Sequence, residues 1–551
     1  MTISADLVFV NGTVHTMDPA LPRTDAVAVR GGRIVGLGRA DADELTDART
    51  DVVDLAGGVL VPGFQDAHIH AVHGGLELAK CDLTGSTDVA EYLRRIGAYA
   101  EAHPSAEWIT GGGWSLEAFP GGQPTAELLD KVVPDRPVFL PNRDHHGAWV
   151  NSRALALAGI TAATPDPADG RIERAGDGSP TGMLQEGAAN LVGKLVPPPT
   201  DAELLDALLR SQRMLHSLGL TAWQDALVGA GLGGPDVLGT YREAASAGVL
   251  TARVRGALWW DRARGAEQIE ELSARREYGS AGRFSAGSVK IMQDGVVENR
   301  TAGLLAPYHD HCGHSTRSAH SHESAGLSFV DPVSLRSHVT ALDRLGFQVH
   351  FHALGDRAVR EALDAVEAAL AANGRNGNRH HLAHLQIVHP DDIPRFRALD
   401  AVANIQPLWA AHEPQMDEFT IPVIGPERAR RQYPFAALRD AGARLAAGSD
   451  WPVTSPDPIS GIHVAVNRIL PHATTEPFLP EQRIALDTAL AAYTSGTAWV
   501  NHLDDTGSIA VGHLADLVVL DRDPFAAPPE EIASTEVAAT YVEGAAVYAA
   551  P

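Results

Sequence analysis

Short runs of alternating apolar and β-branched residues bracket a long stretch in which strand-like and helix-like segments take turns. In the first sixty residues, positions 6–10 and 13–17 read as strands around a tight Asn11-Gly12 turn. Positions 26–29 and 33–37 flank Gly31-Gly32 in the same way. Similar runs return at 516–520, 537–542 and 547–548. Two β-rich ends predict one composite β-sandwich domain, built from residues 1–62 and 491–551.

The middle has a different rhythm. Positions 254–258, 288–292, 347–352 and 445–450 read as strands, while 357–372 and 391–399 carry helical periodicity. Repeated β-then-α units predict an α/β fold with a parallel sheet, and this length favours closure as a (β/α)₈ TIM-like barrel over 63–490. Residues 80–190 are longer than one β/α unit needs and are rich in turns, such as Gly111-Gly112-Gly113. They are expected to form an insertion domain over the barrel mouth. Pro197-Pro198-Pro199-Thr200 reads as a loop leading to a helix N-cap.

Composition narrows the function classes. The 551 residues are 44% hydrophobic and 21% charged, ordinary for a globular chain. No apolar run is long enough to span a membrane. The first six residues lack the basic start and apolar run of a secretory signal, so a cytoplasmic location is expected. Cys81 and Cys312 alone build no disulfide framework. A net charge of -25 repels nucleic acid and anionic lipid. The expected partner is a small-molecule substrate, with a homodimer as a possible assembly. Lysine is scarce (Lys80, Lys131, Lys194 and Lys290), which makes each one worth inspecting.

The candidate chemistry lies at predicted strand ends. His68 and His70, at i and i+2, point to one face of a strand and can reach one metal ion. Lys290 follows a short apolar strand, His352 ends another, His384 sits in Leu382-Ala383-His384-Leu385, and Asp450 ends Gly448-Ser449-Asp450. Barrel enzymes place their chemistry on that edge. His350 shares a strand face with His352 and reads as packing or as support behind the ligands. His380 and His381 read as loop residues, and Asp294 as the start of a turn. The histidines at 309, 311, 314, 320 and 322 read as a solvated loop near the mouth. His146, Trp114 and Trp149 are candidate substrate-binding residues, and Phe119 and Trp409 are further aromatics for an apolar wall.

The order H-x-H, Lys, His, His, Asp resembles the binuclear amidohydrolase superfamily. Several blocks are similar to its family-3 amidohydrolases, the branch that includes N-substituted formamide deformylase. They include Pro62-Gly63-Phe64-Gln65-Asp66-Ala67-His68-Ile69-His70, Gly182-Met183-Leu184-Gln185-Glu186, Lys290-Ile291-Met292-Gln293-Asp294-Gly295 and His352-Ala353-Leu354-Gly355-Asp356-Arg357. The resemblance implies two divalent ions per chain, with zinc suited to the donors. His68, His70 and Asp450 would hold the more buried ion, and His352 and His384 the other. A CO₂-derived carbamate on Lys290 would bridge the two. Two such ions acidify a shared water to a pKa of about 7. The resulting hydroxide would attack an amide or formamide C–N bond, with Asp450 as the catalytic proton carrier. The alternatives are a cyclic amide or carbamate hydrolase, or a deaminase on the same scaffold. Deaminases of the superfamily place a glutamate three residues after the fifth-strand histidine; here Gly355 stands there.

Overall fold

Eight parallel strands form one sheet in strict chain order: Phe64–Ile69, Leu220–Val228, Arg253–Trp259, Phe284–Met292, Gln348–Ala353, His381–His384, Val402–Ile405 and Arg444–Ala447. This computed structural model describes residues 4–231, 234–309 and 325–551. The fold is a (β/α)₈ barrel. Its seam, between the first and eighth strands, is closed by polar bonds. Asp450 donates its amide to the His68 carbonyl (2.7 Å), and the Ser449 amide reaches the Asp66 carboxylate (3.1 Å). Asn404, from the seventh strand, donates its side-chain amide to the Ala67 carbonyl (2.9 Å).

Strand alternation decides what faces the barrel axis. On the fifth strand Val349 and Phe351 are fully buried in the main hydrophobic core, while His350 and His352 face inward. Burying each such apolar side chain is worth about 1.5–3 kcal/mol, and that one-sided gain fixes which residues remain for the interior. The helix Asp356–Asn373 buries Ala358, Val359, Ala362, Leu363 and Val366 along one stripe. Thr200 begins the helix Asp201–Ser217 with a reciprocal capping box to Glu203.

Two further units surround the barrel. A six-stranded sheet runs from Cys81–Asp82 to Pro180–Glu186 and carries its own core of Tyr92, Ile96, Trp114, Phe119, Leu140 and Trp149. The chain ends meet in another six-stranded sheet, which joins Thr13–His15 and Val59–Pro62 to Leu517–Leu520, Val537–Val542 and Ala545–Ala549. A four-stranded sheet from residues before 55 completes this region. Val27–Arg30 and Arg33–Leu37 do pair as a hairpin. Leu7–Val10 and Thr13–His15 do not: at Asn11-Gly12 the chain passes from one sheet to the other. Among the described residues, no helix is long and apolar enough to cross a membrane.

Candidate metal centre

Each candidate ligand stands at the carboxyl end of a barrel strand or just beyond one. His68 is on the first strand with His70 directly after it, Lys290 is on the fourth, and His352 is on the fifth. His384 ends the sixth, and Asp450 follows the eighth. Nε2 of His68 and Nε2 of His70 each lie 3.1 Å from Asp450 Oδ1, and His384 Nδ1 lies 3.9 Å from Asp450 Oδ2. Donor atoms of His68, His70 and Asp450 fall within 4.8 Å of one another, as in a site that could hold a metal ion. The His384 ring is 4.4 Å from that of His352 and 4.8 Å from that of His68, centroid to centroid. Two of these residues have left-handed backbone, His384 at φ 79° and Asp450 at φ 59°. Such strain, worth about 1–3 kcal/mol at a non-glycine residue, persists only where the surroundings over-determine it.

A polar floor supports the ligands from below. His350 Nε2 lies 2.9 Å from His68 Nδ1, which leaves His68 Nε2 for Asp450. His350 Nδ1 in turn lies 2.7 Å from Gln224 Oε1, and the same oxygen lies 2.9 Å from His381 Nε2. His381 is therefore a buried barrel residue, not a loop residue. His380 is buried as well, with Nε2 2.9 Å from Asp343 Oδ1. Asp66, on the same inward face as His68, accepts the His68 amide at 2.8 Å. Asp294 does more than start a turn. Its buried carboxylate accepts the amides of Gly303, Leu354 and Gly355, at 2.9–3.0 Å, and ties the turn after His352 to the loop at Gly303.

Burial sets the charge states. It pushes the His68 imidazole down to about 3, helped by the nearby Lys290 charge. Burial first, then neighbouring histidines and Lys290, holds His352 and His384 well below the ordinary histidine value. All three are thus neutral imidazoles, the form that ligates cations. Burial also lowers Lys290 to about 7, against the pull of Asp450. On Asp450 burial acts upward, but the contacts that His68 and His70 make at Oδ1 outweigh it and hold the carboxyl well below the usual carboxylate range.

The insertion contributes its own pair. His146 Nδ1 lies 3.0 Å from both oxygens of Glu186, and Thr301 donates its hydroxyl to Glu186 Oε1 at 2.6 Å. The His146 ring is 5.6 Å from that of His352, so this candidate does reach the centre. Trp114 and Trp149 do not. Both are fully buried in the insertion core, where their indole N–H groups donate to the carbonyls of Leu140 and Thr125 (2.8 Å each). Phe119 packs between them. Large aromatics in a small unit are its core before they are anything else. Trp409 alone of the four lines a cavity, with its ring 6.4 Å from that of His384. Of the histidine-rich tract only His309 is described; His311, His314, His320 and His322 lie outside the described residues.

Sequence reading missed Gln224, His381 and Glu186. The i, i+2, i+4 series Asp66, His68, His70 was a usable signal for Asp66. Nothing local marks Gln224, whose partner His350 is 126 positions away.

Comparison with known proteins finds relatives over nearly the whole chain. The profile of the Amidohydrolase family matches residues 51–548. The chain is 33% identical to Protein LONG AFTER FAR-RED 3 of Arabidopsis thaliana, over 99% of this chain and 92% of the relative. It is 28% identical to the N-substituted formamide deformylase of Arthrobacter pascens, over 100% of this chain and 99% of that one. A crystal structure of an uncharacterized metal-dependent hydrolase from Pyrococcus furiosus superposes with a TM-score of 0.70 at 26% identity, covering 94% of this chain and 99% of that one. With a family match over most of its length and a (β/α)₈ barrel, this chain belongs to the Amidohydrolase family.

Proposed function

We propose that the C–N bond cut by this hydrolase is that of an amide, with an N-substituted formamide as the first candidate, at a two-metal centre completed by a carbamate on Lys290. The carrying observation is the donor set itself: His68, His70, His352, His384 and Asp450 converge from four strand ends beside a lysine pushed down to about 7. That set fits divalent cations. His68, His352 and His384 are neutral, Asp450 is ionised, and buried His384 Nε2 has no hydrogen-bond partner among the described residues. Only a neutral amine adds to CO₂; the N–C bond forms, a proton leaves, and the resulting carboxylate can bridge two cations.

When bound, two divalent ions, with zinc suited to these donors, would supply an acidified water and polarise the scissile carbonyl. Asp450 takes the proton from the attacking water at its carboxylate and returns it to the leaving nitrogen. His68 and His70 hold that carboxylate in place through the contacts at Oδ1. Glu186 fixes His146 through Nδ1, which leaves Nε2 to donate to bound substrate.

Deamination is disfavoured by one position. A Cβ on Gly355 would lie 2.1 Å from the Gly303 carbonyl oxygen, so the glutamate of deaminases has no room there. A screen of metal-reconstituted enzyme tests the proposal, using N-formyl amines, N-acyl amino acids, aryl amides, cyclic imides and carbamates. Release of free amine from an open-chain amide is expected. Turnover confined to cyclic imides or carbamates would overturn the open-chain reading.

A further inference from the structure

A cavity of about 380 Å³ lies beside the metal centre, within the range of about 300–1,000 Å³ usual for small-molecule sites. It is formed where the insertion meets the loops that follow the seventh and eighth strands. One wall is apolar and includes Leu408, Trp409, Trp451, Pro452, Val453 and Leu470. Trp451 directly follows the ligand Asp450, and Trp409 lies beside His384, so this wall runs up to the reacting centre.

The opposite side is charged, but its charges are already spent. Arg143 is the lone cation among the described lining residues, against two carboxylates, Asp144 and Glu413. Its guanidinium meets both oxygens of Glu413 at 3.2 Å, and Nη2 also donates to Gln415 Oε1 at 2.7 Å. The insertion imidazole that reaches the metal centre, His146, is likewise held by a carboxylate, Glu186. An anionic group entering the cavity would lose water without gaining a free cation, and would face a wall with two carboxylates to one guanidinium. An uncharged hydrocarbon arm loses nothing and gains the tryptophan wall.

From this we infer that the substrate carries a neutral, apolar or aromatic arm, and that the Arg143–Glu413 pair excludes amides bearing a carboxylate on that arm, such as N-acyl amino acids. The inference rests on the amide-hydrolase reading and adds the substrate class.

Matched probes test it. N-formylphenethylamine and N-formylphenylalanine differ by one carboxylate, as do their N-acetyl counterparts. With zinc-loaded enzyme, kcat/KM is expected to favour the neutral member of each pair by about 100-fold or more. Glu413→Gln, which leaves Arg143 with less compensation, is expected to raise the carboxylate-to-neutral ratio about tenfold. Equal turnover of the two members, or preference for the acids, would overturn the inference while leaving amide hydrolysis intact. If no amine is released from any of the four, the amide reading fails separately. The inference is then read from binding of the uncleavable methanesulfonamides of phenethylamine and phenylalanine to the same zinc-loaded protein. Tighter binding of the neutral sulfonamide sustains it, and equal or tighter binding of the acid refutes it.

Discussion

At the scale of single residues, burial changes what a side chain is. Lys290 is 2% exposed and is pushed down to about 7, so part of it is the uncharged amine that can become a carbamate. Lys290→Ala removes that nitrogen. The expected result is loss of activity and a fall in bound metal toward one ion or none, read by elemental analysis of purified protein; full activity would sink the carbamate role. Asp450→Asn can still offer an oxygen but cannot take up a proton. The fold should survive while kcat falls about 10²–10⁴-fold or more; a near-wild-type rate at neutral pH would remove Asp450 as the proton carrier. His350 supplies a third case. Its Nε2 holds His68 Nδ1, and supports of this kind are typically worth about 10–100-fold in metal affinity. His350→Leu should show that loss in a chelator competition, and unchanged affinity would make His350 mere packing. The clustering of His68 and His70 was legible because strand periodicity puts them on one face. Their supports were not, because Gln224, His381 and Glu186 act on partners remote in the chain.

At the scale of elements, sequence pattern found some barrel strands and passed over others for a physical reason. The fourth and fifth carry apolar residues toward the outer helices and stand out as short apolar runs. Leu220–Val228 was not singled out: inward Gln224 and adjacent Asp225 break its apolar run, and both are buried with partners remote in the chain, Gln348 for Gln224 and the Tyr241 hydroxyl for Asp225. Val402–Ile405 has four residues, too few to show a period. The insertion is the instructive error. Aromatics in a turn-rich segment over the mouth read as a substrate wall, but the segment builds its own sheet and spends Trp114 and Trp149 on its own core. Trp149→Ala should therefore destabilise the protein by about 3–5 kcal/mol, the usual cost of truncating a buried tryptophan. Denaturant unfolding measures it. Unchanged stability with a raised KM would return Trp149 to the pocket.

At the scale of the molecule, chain topology brings the chemistry together. Strands in sequential order around a barrel direct all their carboxyl ends to one edge, so His68 and Asp450, far apart in the chain, meet within a few ångströms. The insertion adds His146 to that edge and, with the last two barrel loops, walls the cavity beside it. The opposite end is tied to the terminal β unit by charge. Arg253, on the third strand, pairs with Asp516 and Glu543, and Arg283 reaches Glu543 at 2.8 Å. The most direct test of the whole account follows the released nitrogen as metal is returned. Chelator-stripped protein is titrated with zinc while free amine and ammonia are assayed separately on N-benzylformamide and its N-acyl analogues. The account predicts no turnover without metal, activity that rises to a plateau at two ions per chain, and benzylamine as the nitrogen product. Amine release that is indifferent to metal would contradict it.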